Sequence, residues 1–358
     1  MTRDIYLQEF RHNDRMKSAA RVTVLIDTYN YGRFIEQAIE SVLGQDFPQD
    51  AMEIVVVDDG STDDTAERVK KYGERVQYFY KENGGQASAF NFGFAKARGE
   101  IVALLDADDY WLPGKLRRVS EEFERDGKIG FVYHALRERD ENLGVERDLP
   151  FTAISGILAD KTRELLSYRV CPTSSLAFRT STLQKMLPMP EEIQLQADMY
   201  LAILVPFLSA VCGVRETLGV YRMHGQNLFA PRPESEASER MKRNIKMRRK
   251  ITELARQRLA IDGIDLRQKS ARLYFEQLEV FVATDEFALE APSRVEFFRH
   301  LLRCNEVYGA CGNWKLRLIN RVNAVAALAL GYGAFGRLEA FKSRVPQRGA
   351  GGKDWRHV

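Results

Sequence analysis

Ile101-Val102-Ala103-Leu104-Leu105-Asp106-Ala107-Asp108-Asp109 is an apolar run that ends abruptly in three carboxylates. An unbroken apolar run of this length, with no polar alternation, reads as a strand buried on both faces. Carboxylates crowded at its end repel one another and lose hydration, and a hard divalent cation such as Mg²⁺ or Mn²⁺ relieves both costs. The competing reading is a strand followed by an Asx turn and a helix N-terminus, since Asp favours both. Taken alone, the stretch leaves the two readings even.

The segments before it repeat the pattern. Val22 to Ile26 is a β-branched run closed by Asp27, and Phe34, Ile35, Ala38, Ile39, Val42 and Leu43 follow at helical spacing. Ile54 to Val57 is a second buried strand ending at Asp58-Asp59-Gly60-Ser61, with a helix start expected near Ser61 to Asp64. Val76 to Tyr80 reads as a third strand, Ala87 to Ala97 as a helix, and Ile101 to Leu105 as the fourth strand. Such alternation indicates a mainly parallel sheet covered by helices on both faces, and ligands of such sheets bind beyond the carboxyl ends of the strands. No G-x-G-x-x-G follows the first strand and no G-x-x-x-x-G-K-[ST] occurs, which disfavours dinucleotide oxidoreductases and P-loop NTPases.

After Ile129 the pattern loosens. Phe131 to Tyr133, Ser174 to Arg179 and Val220 to His224 read as short strands, and a helix is expected from about Asp198 to Phe207. Pro231 and Pro233 mark a boundary, beyond which the chain is helix-rich. The 358 residues are 45% hydrophobic and 29% charged, as in an ordinary globular protein of about two compact units. The net charge of +3 hides an asymmetry: residues 1–240 carry 30 Lys/Arg against 38 Asp/Glu, and residues 241–358 carry 23 against 12. A basic run from Arg240 to Lys250, and apolar residues mixed with basic ones from Trp314 to Leu330, fit either a helical cap or a helix lying on an anionic membrane face. The cap is preferred. Cys171, Cys212, Cys304 and Cys311 make no metal or disulfide pattern, residues 1–20 hold no leader peptide, and no run is long enough to span a bilayer. A cytoplasmic protein, peripheral at most, is expected.

The loops then supply a resemblance. Val24-Leu25-Ile26-Asp27-Thr28-Tyr29-Asn30, Val56-Val57-Asp58-Asp59-Gly60-Ser61-Thr62-Asp63, Asn83-Gly84-Gly85 through Asn91 and Gly99, Asp106-Ala107-Asp108-Asp109, and Tyr221-Arg222-Met223-His224-Gly225-Gln226-Asn227 stand in that order. From Val22 to about Asn227 the chain resembles an inverting family 2 glycosyltransferase of the GT-A fold. An arm is read over 1–20 from its polar sequence, and the resemblance implies a nucleotide-sugar-binding half over 21–128 and an acceptor-binding half over 129–233. Beyond them lie a basic helical region over 234–348, which matches no family pattern, and a flexible tail over 349–358.

By the same resemblance, Asp59 hydrogen bonds the nucleotide base and Asp106 meets the ribose or the metal shell. Asp108 ligates Mn²⁺ or Mg²⁺, and Asp198 is the base that deprotonates the acceptor, with Glu191 and Glu192 as substitutes. Thr28, Tyr29, Asn30 and Asn83 fall to donor binding, and His224 to the cation or the diphosphate. Asp27 stands where many relatives have Pro; it contacts the donor or caps a turn, the turn being preferred. Asp109 orients the sugar or caps the following helix, and Arg222 binds phosphate or makes a surface ion pair. The expected partners are a uridine or thymidine diphosphate sugar and a glycan or lipid-linked acceptor, with no nucleic acid. Two alternatives stand beside this one: a non-catalytic nucleotide-sugar-binding scaffold, and a metal-dependent nucleotidyltransferase, whose Gly-rich basic loop is missing.

Overall fold

The computed structural model describes residues 21–169, 171–225, 227, 234–290 and 292–310. The expected arm at 1–20, the tail at 349–358, Pro231, Pro233 and the stretch 314–330 lie outside the described residues.

Four parallel strands form one side of the sheet in the order β3-β2-β1-β4: β1 (Val22–Thr28), β2 (Met52–Asp58), β3 (Gln77–Tyr80) and β4 (Ile101–Asp106). Their register sets Thr28 beside Asp58 and Asp27 beside Asp106, so the polar strand ends gather at one edge. β1, β2 and β4 are buried on both faces, as their unbroken apolar runs require, while β3 at the edge is only partly buried. Val24 and Ile26 join a cluster with Ile35, Ala38, Ile39 and Val42 of α1 (Gly32–Leu43). α2 (Thr65–Lys70) adds Val69 to the same cluster, while Leu25 packs against α3 (Gln86–Lys96), where a Cβ on Gly93 would stand 2.4 Å from Leu25 Cδ1.

Past β4 the sheet becomes mixed. It continues through the antiparallel β9 (Leu176–Arg179) to β6 (Ile129–Asp140), β10 (Ala210–Met223) and β5 (Tyr110–Trp111), with β7 (Val145–Asp148) and β8 (Ser155–Gly156) at the side. The short strands expected at Phe131–Tyr133 and Val220–His224 are therefore pieces of strands of 12 and 14 residues. β10 escapes a period-two reading because its register slips between Val214 and Thr217 and again before Gly219, around the exposed Arg215 and Glu216. The strand expected from Ser174 begins at Leu176, after a 3-10 turn at Thr173–Ser175. Helices α4 (Lys115–Arg125), α5 (Thr162–Ser167), α6 (Thr180–Met186) and α7 (Ala197–Leu208) follow in chain order. α7 is apolar nearly all round and buried from Tyr200 to Pro206, as a core helix must be.

The chain divides into two compact units. The sheet unit comprises the described residues of Met1–Leu158, Tyr168–Pro231 and Glu253–Asp262. The second takes those of Ala159–Ser167, Arg232–Thr252 and Gly263–Val358, and holds α5, the first part of α8 (Glu234–Ile261), α9 (Lys269–Leu289) and α10 (Arg294–Ala310). Within it Gln277 Nε2 donates to the Leu166 carbonyl at 3.1 Å, and the basic run is partly neutralised: Arg248 pairs with Asp285 at 2.5 Å and Arg249 with Glu286. Among the described residues no helix is long and apolar enough to cross a membrane.

Candidate active site

Because β1 and β4 run parallel in register, their terminal carboxylates are delivered side by side, and Asp106, Asp108 and Asp109 bring carboxylate oxygens within 4.8 Å of one another. Asp108 is the best organised of them. His224 Nε2 stands 3.0 Å from its Oδ2, and Asn227 Nδ2 donates to the same oxygen at 3.2 Å. Asn227 also donates to the Arg222 carbonyl and accepts from the His224 backbone N–H, so it closes the turn that brings His224 in. Phe34 and Tyr31 pack on the imidazole, with ring centroids at 4.2 and 5.7 Å.

Asp27 lies beside Asp106 in the β1–β4 register and accepts from Gln86 Nε2 at 3.4 Å. Burial pushes its carboxyl up to about 7, and burial with the surrounding carboxylates raises Asp106 and Asp109 well above the usual carboxylate range. Asp27 Oδ1 and the adjoining Thr28 Oγ1 are buried with no hydrogen-bond partner among the described residues. Buried oxygens left unpaired are costly, and a ligand donor or a cation would answer that cost. The oxygen-rich set of Asp106 and Asp108, with one imidazole nitrogen from His224, fits Mn²⁺ or Mg²⁺.

Two expected roles are corrected. Asp109 is wholly buried, away from any sugar, and does not cap α4, whose N-cap is Gly114: its Oδ1 accepts from the Arg222 N–H at 3.0 Å and its Oδ2 from the Ser174 hydroxyl at 2.6 Å. Arg222 is buried as well. Its guanidinium donates to the Asp108 and Asp109 carbonyls, to Gln37 Oε1 at 2.6 Å and to the Phe34 carbonyl, and it lies over the Phe34 ring. It braces the Asp108–Asp109 backbone from within, which leaves it no free fork for phosphate.

The other loops are held by cross-links between strand ends. Asn30, at φ 58°, takes the Thr62 N–H on its Oδ1 at 2.8 Å and donates its own N–H to Ser61 Oγ. Asp58 accepts from the Ser61 N–H and the Tyr78 hydroxyl. Asp59 accepts from Lys81 Nζ at 2.6 Å, Gly84 N–H at 3.0 Å and Gly85 N–H at 2.8 Å. Tyr29 is 48% exposed and Asn83 is exposed, so both are open to a ligand.

Asp198 is the second residue of α7; the N-cap is Gln196, at φ 60°, so the competing N-cap role falls away. Its Oδ1 accepts from the Met199 N–H at 2.9 Å, Thr173 lies beside it, and burial raises its carboxyl to about 6. Glu191 and Glu192 are exposed on the preceding segment. Gln86 went unnoticed in the sequence: its Oε1 accepts from the Ala197 N–H at 2.9 Å while its Nε2 reaches Asp27. The sequence assigns no role to Tyr31, Lys81 or Ser174 either, and Asn227 enters it only as the end of the Tyr221–Asn227 motif. Only Asn227 had a visible signal, its place three residues after His224.

Residues 23–185 match the sequence model of glycosyl transferase family 2. An uncharacterized glycosyltransferase of Nostoc sp. is 34% identical over 240 residues, which cover 63% of this chain and 73% of that protein. One from Rickettsia bellii is 31% identical over 211 residues, 58% of this chain but 29% of the relative's length. Among solved structures, residues 1–349 of Staphylococcus aureus TarS in complex with UDP superpose with a TM-score of 0.57 at 20% identity, covering 92% of this chain and 93% of that one. Mannosyltransferase PcManGT of Pyrobaculum calidifontis, in complex with GDP-Man and Mn²⁺, gives a TM-score of 0.51 at 17% identity, with 95% and 92% covered. Likeness at such low identity speaks to the fold, which is the GT-A α/β fold with a helical C-terminal region.

Proposed function

The chain belongs to glycosyl transferase family 2, and from that premise we propose that it moves a sugar, with inversion, from a uridine or thymidine diphosphate to a hydroxyl of a glycan or lipid-linked acceptor. The observation that carries this reading is the Asp108 carboxylate held by His224 and Asn227 beside Asp106, at the carboxyl ends of parallel strands. Asp108, Asp106 and His224 would hold Mn²⁺ or Mg²⁺. When bound, such an ion supplies Lewis-acid stabilisation of the diphosphate.

The chain's own groups do the rest. Tyr29 offers a ring face to the base, with Thr28 Oγ1 and Asp27 Oδ1 as the buried oxygens nearest to it in sequence. Asp59 accepts three hydrogen bonds from protein donors, and a carboxylate can take about four, so one position is left for the base edge. Asn30 and Asn83 line the same loops. Asp198 takes the proton of the acceptor hydroxyl as its oxygen bonds to the anomeric carbon, while the bond to the diphosphate oxygen breaks and the nucleoside diphosphate departs. A carboxyl raised to about 6 is a better proton acceptor than an ordinary Asp and is still ionised near neutrality. A lipid-linked acceptor would bring in the anionic membrane face suggested by the basic charge of residues 241–358.

Calorimetry of UDP, dTDP and their sugars with and without Mn²⁺ tests the reading. The expected result is metal-dependent binding, lost in Asp108→Ala, which also nearly abolishes transfer. Full donor affinity without metal, together with wild-type turnover in Asp108→Ala, would overturn it. Binding without any transfer to an acceptor or to water would favour the scaffold alternative.

A further inference from the structure

The 3-10 turn at Thr173–Ser175 has no part in the chemistry proposed above, yet it touches both halves of it. Ser174 is wholly buried and densely bonded. Its hydroxyl donates to Asp109 Oδ2 at 2.6 Å and accepts from the Asp106 N–H at 3.1 Å. Its carbonyl accepts from Trp111 Nε1 and from Lys115 Nζ, each at 2.9 Å. Lys115 is itself wholly buried, with its Nζ 3.4 Å from the centroid of the Trp111 ring. A lysine is seldom taken out of water completely, because its ammonium must give up hydration or its proton. Here the amine is placed on the carbonyl of a single residue, and that residue holds the loop of the donor-side carboxylates.

Thr173, one position earlier, lies beside Asp198, where its side chain and backbone favour the ionised carboxylate against the effect of burial. Asp106 and Asp109 come from the end of β4, and Asp198 from the start of α7, nearly a hundred positions later in the chain. The turn is thus a shared support for two carboxylate sets that the backbone brings in separately.

We infer that the Thr173–Ser175 turn is the positioning device that sets the base carboxylate against the donor-side carboxylates, with Ser174 holding Asp106 and Asp109 and Thr173 holding Asp198. This rests on the reading of Asp198 as the base and of Asp106 and Asp108 as the donor-side pair. Neither Thr173 nor Ser174 needs to touch substrate. Each acts through the group it holds, so the two should fail differently: Ser174 in binding, Thr173 in turnover.

The test uses the full chain in five forms: wild type, Ser174→Ala, Thr173→Val, Thr173→Ser and Asp198→Asn. Calorimetry with UDP and Mn²⁺, steady-state kinetics and thermal unfolding are measured on each. Loss of a partner behind a metal ligand commonly costs about 10–100-fold in metal affinity, so Ser174→Ala should weaken Mn²⁺-dependent UDP binding by about tenfold or more and raise the donor KM. Thr173→Val should leave UDP binding within about twofold and lower kcat by about tenfold, and Thr173→Ser should recover it, since only interactions made in the transition state move kcat alone. A Ser174→Ala protein that melts earlier but binds Mn²⁺ and UDP like the wild type would show a purely structural turn and overturn the inference. So would equal kcat in Thr173→Val and the wild type. If Ser174→Ala does not fold, the Thr173 pair decides by its kcat. An Asp198→Asn protein with undiminished turnover would instead sink the assignment of the base, while UDP binding by Ser174→Ala still judges the turn.

Discussion

Among single residues, Asp198 and Asp59 illustrate how environment separates similar side chains. Asp59 lies among donors, with an ammonium and two backbone N–H groups on its oxygens, whereas Asp198 is desolvated and raised to about 6. A proton acceptor must be ionised, so kcat/KM should be full above that value and fall about tenfold per unit as pH drops below it. Asp198→Asn should remove that acid limb and lower transfer by about 10²-fold or more, with nucleoside diphosphate binding nearly unchanged. A pH–rate profile and a binding isotherm on the one variant check both statements. Asp106 and Asp108 are legible as candidates because carboxylates crowded at the end of an apolar run stand out, whereas Asp198 is a candidate only through the family resemblance. The partners that make them work are not legible. Ser174, Gln86 and Asn227 are common polar residues whose effect comes from long-range contacts, such as the bond from Gln86 to Ala197, and no local pattern encodes these.

For the elements, legibility tracked periodicity. β1, β2 and β4 are buried on both faces and show as unbroken apolar runs, so they were read to within a residue or two. β6 ends in the half-buried Arg137 to Asp140, so only its apolar Phe131 to Tyr133 stands out, while β10 carries register slips and shows in the sequence only at its end, from Val220. The junction of the third loop with α3 depends on one backbone conformation. Gly85 has φ 84°, and a Cβ there would stand 2.6 Å from Gln194 Cα, while its N–H holds Asp59. Gly85→Ala should therefore destabilise the protein by about 2 kcal/mol or more, combining left-handed strain of ~1–2 kcal/mol with a backbone clash. Nucleotide affinity should fall as Asp59 loses its support. Gly73→Ala is the control: φ is 57° but nothing lies within 4 Å, so only the strain of ~1 kcal/mol is expected. Chemical denaturation of the two variants separates strain from clash.

On the scale of the whole molecule, the division of α8 matters most. Its residues up to Thr252 belong to the helical unit, but Glu253–Asp262 belong to the sheet unit, where Ala255 and Leu259 are wholly buried. Arg258 adds hydrogen bonds to the Lys185 and Met186 carbonyls and an ion pair to Asp262 at 2.9 Å. A protein ending at residue 233, where proline and composition suggest a boundary, should therefore be less stable than one ending at residue 262. Leu259 alone is worth ~2 kcal/mol of burial. Comparing melting temperatures of the two decides it, and equal values would show that the segment is dispensable.

The same arrangement dictates an order of events during synthesis. All the strands of the sheet unit have been synthesised by about residue 230, yet its last packing partner is encoded some twenty to thirty residues later. Until then the nascent chain carries an apolar socket with nothing in it. The sheet unit is completed only by a segment that follows part of its neighbour, so neither unit can be finished before synthesis has passed residue 262.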